Sequence, residues 1–314
     1  MRRILSAIIA IVLILYALPA LAQQPSVAEM VLNRYLWRTQ DMSDLDGLAA
    51  LPVFLALSTS SPFWNRAATG LLSYRQAAYD EWPRTGIPDH FENEAEYARF
   101  VELLVGGGAV PDSSYLWWAI RPAARYPTLE LRICDTCTRL ADSIAIASLY
   151  RCLVRLLVRR PELAPPWTPF TRRLIDENRW RAKRFGIDAE FIALDGGKPV
   201  RCRDAVAQLV SAVEEDAEAL RCTKRLGRVR ALMAEGTSAH LQLAIYRGRR
   251  ARGDAPLEAL RYVVDWLVAA TITEPEARLD AKPEAAKAGV SSVGDDSVVF
   301  YRFKEKVIAV PKQS

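Results

Sequence analysis

The sequence predicts an α+β fold whose C-terminal half is rich in helices. Two β-favouring runs, SYLWWAIR and PTLELRIC, flank PAARY and predict a hairpin near the middle of the chain. Most segments between residues 138 and 270 have apolar residues at helical spacing. The chain has 314 residues, 51% hydrophobic and 25% charged, so it can bury a core as one large domain or two small ones.

The first 22 residues are typical of a secretory signal peptide. Two arginines precede an apolar run from residue 4 to 18, and small residues stand at positions 20 and 22. The run is shorter than the ~20 residues of a usual membrane-spanning helix, so an uncleaved anchor is the second interpretation. We therefore expect an exported or periplasmic protein, with the cytoplasm as the alternative. Residues 23–50 are a separate, divergent segment.

Two helices and a loop are predicted before the hairpin. The segment LAALPVFLALSTSSPFW predicts a buried helix that runs into a turn at Ser61 and Pro62. A loop spans Pro83 to Pro88. The segment ENEAEYARFVELLVGGG predicts an amphipathic helix that ends at three glycines.

Alternation defines the two faces of the second hairpin strand. Leu129, Leu131 and Ile133 share one face, while Glu130 and Arg132 lie on the other together with Thr128. One face is therefore expected in the core and the other is charged. An exposed charged face on a half-buried strand would give the same pattern.

A series of helices is predicted after the hairpin. The segment APPWTP interrupts the series as a linker, and residues 271–314 form a tail that shifts to Ala, Pro, Lys and Glu before a strand-like run, SVVFYRFKEKVIAV. The predicted helices are Thr138 to Arg159, Thr171 to Phe185, Arg203 to Leu220, Lys224 to Ala234, Ala239 to Arg252 and Pro256 to Ala270. Residues 51–270 form the main domain.

Charge and cysteine content narrow the function. The net charge of +5 comes from interspersed residues, which favours a mixed solvated surface over a nucleic-acid partner. Of the five cysteines, Cys134 and Cys137 form a CxxC. They are interpreted as buried thiols, with a redox pair as the alternative in an exported protein.

Several long segments resemble the carboxylate-amine ligase family, also called glutamate-cysteine ligase type 2. They are SSYLWWAIRPAARYPTLELRICDTCTRLADSIAIASLYRCLVRLL, LALSTSSPFW, GLLSYRQAAYDEWPRTG, ENRWRAKRFGIDAEFI and GTSAHLQLAIYR, in the family's order over about residues 51–270. The resemblance implies a fold similar to glutamine synthetase, an antiparallel sheet with packed helices. It also implies that ATP and Mg²⁺ activate a carboxylate as an acyl phosphate, which an amine then attacks.

The resemblance assigns the charged residues of the hairpin to phosphoryl transfer. Glu130 would be a metal ligand, since carboxylate oxygens suit hard cations. Arg132 would contact phosphate, and both Arg132 and Arg125 are candidate catalytic residues. Arg121 would neutralise phosphate or the substrate carboxylate.

Other candidate residues lie outside the hairpin. The resemblance places Tyr74 and Arg75 in the substrate pocket, whose partners would be small-molecule amino acids. For Asn178 and Arg181 it leaves nucleotide contacts and structural contacts as open alternatives. Trp117 and Trp118 are interpreted as packing groups.

The chain departs from the family in its carboxylates and histidines. A motif of the form G-V-E-E-E and another of the form H-x-H do not occur, and Ala68 and Ala119 stand where aspartate is expected. We therefore expect an N-terminally truncated member with reduced cation affinity. Its partner would be a second copy or a chain that supplies the missing strands. The alternative is an exported, non-catalytic binding or structural module.

Overall fold

A computed structural model describes residues 50–89, 91, 94–124, 128–160, 163, 168–194, 196–272, 298–303 and 306–311. These residues include ten α-helices. The helices are α1 Leu51–Ser58, α2 Tyr74–Tyr79, α3 Glu94–Gly106, α4 Leu140–Arg159, α5 Pro169–Phe185, α6 Cys202–Ala212, α7 Glu214–Ala219, α8 Thr223–Glu235, α9 Ser238–Ala251 and α10 Pro256–Ile272.

The described strands form four separate antiparallel hairpins. The strands are β1 Phe63–Trp64, β2 Ala67–Ala68, β3 Ile120–Pro122, β4 Leu129–Leu131, β5 Glu190–Phe191, β6 Val200–Arg201, β7 Val298–Phe303 and β8 Lys306–Pro311. The predicted α+β class is confirmed, with helices predominating. Among the described strands, each pairs with one partner only.

Helix α1 lies at the centre of the core. All eight of its residues are buried, which agrees with a segment that has no polar face. The ring of Phe54 meets that of Tyr150 edge to face at a centroid distance of 5.7 Å. Helix α1 packs against α5 and α4, so the core joins segments that are far apart in sequence.

The central hairpin is shorter than predicted. Ser113–Tyr115 forms a 3-10 turn instead of a strand, because the Asp112 side chain accepts a hydrogen bond from the backbone N–H of Ser114. In the remaining ladder Arg121 lies opposite Glu130. The charged face is not an exposed one, since Glu130 is only 9% exposed.

One predicted helix, Arg203 to Leu220, is wrong because it divides at Val213. Helix α6 ends before this residue and α7 begins after it. Val213 is completely buried, as is Asp216 in α7. Asp216 forms ion pairs with Arg155 and Arg159 of α4, so its buried carboxylate has counter-charges. The other predicted helices agree with the observed ones to within a few residues at each end.

All five cysteines are free and buried. Burial raises the pKa of Cys134 to about 12, so this thiol stays protonated at neutral pH. The two sulfur atoms that approach each other belong to Cys152 and Cys222, 3.3 Å apart, and not to the CxxC. The interpretation of Cys134 and Cys137 as buried thiols is confirmed.

The leader-like residues 1–22 and most of the segment 23–50 lie outside the described residues, as do residues 273–297 of the tail. The strand-like run of the tail forms two paired strands, β7 and β8. In the part of the chain that the structure describes, no helix combines the length and hydropathy needed to cross a membrane.

His240 connects α9 to the end of α1. Its Nδ1 lies 2.7 Å from the Thr237 hydroxyl, which in turn lies 2.7 Å from the hydroxyl of Thr59. Its Nε2 lies 3.2 Å from a carboxylate oxygen of Asp188. Burial lowers the pKa of His240, and Asp188 opposes that shift.

We predict that the free energy of unfolding falls as pH decreases below the usual histidine pKa of 6.5. In that window the unfolded chain binds a proton that folded His240 does not, whereas above it the ring is neutral in both states. The loss should not exceed about 1.4 kcal/mol per pH unit. Urea unfolding at several pH values measures it. His240→Gln should remove the slope, while His90→Gln, at the chain's other histidine, should keep it.

Candidate functional site

A cavity of about 490 Å³ opens between α2, the β1 hairpin and the segment that follows β4. Its volume suits a small organic molecule. Besides Ser61 and Ala78, it is lined by two arginines, Arg75 and Arg132, and by six aromatic side chains. The aromatic residues are Phe63, Trp64, Tyr74, Tyr79, Trp82 and Trp117.

Three of the predicted site residues converge on this cavity. Tyr74 and Arg75 begin helix α2, and Arg132 follows strand β4. The guanidinium carbons of Arg75 and Arg132 lie 5.3 and 5.8 Å from the centre of the same ring, that of Tyr79. Residues that are far apart in sequence therefore place two cations in the cavity lining, each near the ring of Tyr79.

The sequence analysis did not assign the aromatic wall to a site. Trp64 stacks on Tyr74 at a centroid distance of 5.4 Å, and Trp82 meets Trp117 edge to face at 5.4 Å. Arg75, Tyr79 and Trp82 follow the spacing i, i+4, i+7, which could have indicated one shared face. Trp117 is not a simple packing group, since it lines the cavity.

Trp118 fulfils the predicted packing role. It is buried in a small second core with Phe91 and Leu116. Adjacent tryptophans therefore have different surroundings, one in the cavity wall and one in a core.

Arg132 is held by two partners. One of its Nη atoms donates to the Tyr79 hydroxyl at 2.7 Å, and the other forms an ion pair with Glu130. Burial alone would lower the pKa of Arg132, but the hydrogen bond to Tyr79 and the charge of Glu130 outweigh it and raise the pKa. Its buried Nε has no hydrogen-bond partner in the structure. Arg132 is thus a fixed cation with donor capacity left over.

Glu130 is engaged by arginines on both carboxylate oxygens. One oxygen pairs with Arg132, and the other accepts from Nε of Arg121 at 2.9 Å. Arg121 is itself buried and also donates to the carbonyls of Ser114 and Leu116. Two adjacent guanidinium groups disfavour a divalent cation, so Glu130 in this arrangement does not fit a metal ligand. Its predicted metal role stays a prediction.

The predicted role of Arg121 in neutralising phosphate or the substrate carboxylate also stays a prediction. Its donors serve Glu130 and loop carbonyls, and it does not line the cavity. Arg125 lies outside the described residues. Among the residues that the structure describes, no group of three or more His, Cys, Asp or Glu side chains is arranged to hold a metal ion.

Asn178 and Arg181 stabilise the connection after α5. The Asn178 side chain accepts from the backbone N–H of Ile192 at 2.7 Å and donates to its carbonyl at 2.9 Å. Arg181 donates to Glu177 and to the carbonyl of Glu190, each at 3.1 Å. These contacts favour the structural alternative, and neither residue lines the cavity.

Asp135 organises the backbone around the cavity, a role that the sequence analysis missed. Its carboxylate is completely buried and accepts hydrogen bonds from the backbone N–H of Ser60 at 3.0 Å and from the hydroxyls of Ser61 and Ser73 at 2.7 and 2.6 Å. Burial raises the pKa of Asp135 and these hydrogen bonds oppose the shift. Ser73 is the N-cap of α2, so Asp135 fixes the helix that carries Arg75.

The fold and the cavity define an α+β protein with a cavity whose lining combines guanidinium groups with aromatic rings. The model of glutamate-cysteine ligase family 2 matches residues 46–260. The chain belongs to this family.

Curated relatives agree with the family assignment. A relative from Bradyrhizobium diazoefficiens, named "Putative glutamate--cysteine ligase 2", is 43% identical over 250 residues, which cover 80% of this chain and 57% of the relative. A protein of the same name from Rhodospirillum rubrum is 46% identical over 222 residues, covering 71% and 57% of the two chains. One from Ectopseudomonas mendocina is 47% identical over 233 residues, covering 73% and 60%. The chain therefore spans little more than half the length of these relatives.

We predict that Glu130→Gln lowers the free energy of unfolding by about 3 kcal/mol or more, because it leaves buried Arg121 without a counter-charge. Urea unfolding measures the change. The control is Glu214→Gln, which removes the exposed ion pair with Arg230 at 2.9 Å and should cost less than about 1 kcal/mol. Equal losses in the two variants would show that the Glu130 pair has no special role.

We predict that Asp135→Ala lowers the free energy of unfolding by about 3–5 kcal/mol, because it leaves three donors without their charged acceptor. Asp135→Asn, which keeps one carbonyl acceptor, should lose less. Urea unfolding of the two variants tests this order. A fully stable Asp135→Ala protein would contradict the organising role of the carboxylate.

Proposed function

We propose that the protein is an ATP-dependent carboxylate-amine ligase of the glutamate-cysteine type, with the glutamine synthetase-like fold of that family. It would join the carboxylate of glutamate or another small acid to the amine of an amino acid such as cysteine. The observation that carries the proposal is the convergence of Arg75 and Arg132, both in family-like segments, on one cavity.

The two arginines would bind and orient the anionic groups. A guanidinium group can donate two parallel hydrogen bonds to a carboxylate or a phosphate. Arg132 suits the point where the substrate carboxylate and the phosphate meet, because it lines the cavity and Tyr79 and Glu130 hold its position. The aromatic wall would exclude water from the bound acid.

The cofactors in this proposal are ATP and Mg²⁺, which would supply the phosphoryl group and neutralise its charge. The cavity arginines fit an anionic phosphate, whereas Glu130 does not fit the cation as it is paired here. The proposal therefore includes a partner that supplies carboxylate ligands, either a second copy of this chain or a separate polypeptide.

One observation favours a second function. Both oxygens of Glu130 are occupied by arginines, as expected of a protein that keeps the ligand pocket without metal-dependent chemistry. The alternative is thus a non-catalytic binding or structural module, exported by the leader-like residues 1–22. The ligase function would place the protein in the cytoplasm, where ATP is available.

Calorimetric titration of the full-length chain with ATP and Mg²⁺ tests the ligase proposal. We expect micromolar binding, about 8 kcal/mol, that is lost in Arg132→Ala and in Arg125→Ala. Arg230→Ala, at an exposed arginine of α8, is the matched control and should bind as the unchanged protein does. Phosphate release that requires both an acid and an amine would establish ligation. No binding at millimolar ATP would exclude the enzyme and favour the binding module.

A further inference from the structure

We propose that the cavity binds an acid with a single carboxylate and a flat apolar body, an aromatic monocarboxylate, in preference to glutamate. This inference rests on the proposed function, since it names the acid that the ligase would activate. Three properties of the lining support it: its charge, its walls and the weak engagement of Arg75.

The charge of the lining suits one anionic group and no ammonium group. Its only charged side chains are Arg75 and Arg132, and no described lining residue is a carboxylate. Arg132 already shares Glu130 with Arg121, while the carboxylate paired with Arg75 is that of Asp135, at 3.9 Å. An α-ammonium group would lie beside two cations without a partner of opposite charge, which is unfavourable.

The walls suit an apolar ring. Six of the lining side chains are aromatic, and two of them, Trp64 and Trp82, are 62% and 58% exposed. Such exposed rings gain by covering a flat apolar surface. The γ-carboxylate and the short aliphatic chain of glutamate would leave these rings uncovered.

The donors indicate where the carboxylate lies. Both guanidinium carbons are within 6 Å of the centre of the Tyr79 ring, and both side chains line the cavity. Arg75 is the less engaged of the two, because its contact with Gln76 Oε1 is 3.3 Å long. A carboxylate next to Arg75 would give this less engaged guanidinium a closer anionic partner than Asp135, which lies at 3.9 Å.

The same lining is less suited to a nucleotide. A triphosphate brings several negative charges to only two guanidinium groups, and each of these already has a carboxylate partner, Asp135 for Arg75 at 3.9 Å and Glu130 for Arg132. The Ser61 hydroxyl, which could hydrogen-bond a base, already donates to Asp135. We therefore assign the cavity to the acid. Competition by adenosine would instead assign the cavity to the nucleotide.

Matched ligands test the assignment in the full-length chain by calorimetry without ATP. We expect 3-phenylpropionate to bind at least about tenfold more tightly than L-phenylalanine, which adds an ammonium group, and than 3-phenylpropan-1-ol, which lacks the charge. Glutamate should bind more weakly than 3-phenylpropionate by the same factor or more. Equal or tighter binding of glutamate would overturn the proposal, as would displacement of 3-phenylpropionate by adenosine.

Variants locate the binding site. Arg75→Gln should weaken 3-phenylpropionate about tenfold or more and leave 3-phenylpropan-1-ol unchanged, because it removes only the charge. Trp82→Ala should weaken both ligands, while Arg230→Gln, which does not line the cavity, should change neither. Circular dichroism and urea unfolding confirm that each variant is folded. Full affinity in Arg75→Gln would exclude this cavity.

The two proposals fail separately. If 3-phenylpropionate binds and ATP is never turned over, the cavity assignment stands and the ligase proposal falls. If ATP-dependent ligation of glutamate occurs and 3-phenylpropionate does not bind, the ligase proposal stands and the aromatic acid is wrong.

Discussion

The cavity depends on one buried carboxylate. Asp135 accepts hydrogen bonds from the turn after α1 and from the N-cap of α2, and its backbone N–H donates to the Ser58 hydroxyl at the end of α1. Because Arg132 precedes Asp135 by three residues and Arg75 follows Ser73 by two, these bonds fix the relative positions of both cations. A buried charge is costly unless it is fully hydrogen-bonded. Separation of the two segments would remove hydrogen bonds from the buried carboxylate and is therefore unfavourable.

The net charge of the same region is set by Glu130 and its two arginine partners. Two guanidinium groups share one carboxylate, which leaves a positive excess next to the aromatic wall. In a family whose proposed chemistry brings a carboxylate and a phosphate together, an excess of this sign is useful with or without a metal. The same pairing also explains how the charged face of a short hairpin can be buried, because each charged group has an ion-pair partner.

The sequence predicted what depends on local patterns. Helices such as α4 and α5 follow from apolar spacing, and the family-like segments identified Tyr74, Arg75 and Arg132. It did not predict interactions between distant residues. The hydrogen bonds to Asp135 come from the segment around Ser60 and Ser73, far earlier in the chain, and buried Asp216, just after the break at Val213, pairs with helix α4. The aromatic wall was also missed, because exposed tryptophans have no distinctive spacing across three segments.

The apolar character of α1 has a consequence for biosynthesis. Its eight buried residues pack against α4 and α5, which leave the ribosome much later than α1 does. A segment such as LPVFLALS must therefore remain without its partners while more than one third of the chain is synthesised. During that interval it is the kind of apolar stretch to which chaperones bind and through which nascent chains aggregate. This core can therefore assemble only after residue 185 has been synthesised, long after its central helix. Its folding yield should depend on the speed of translation up to that residue.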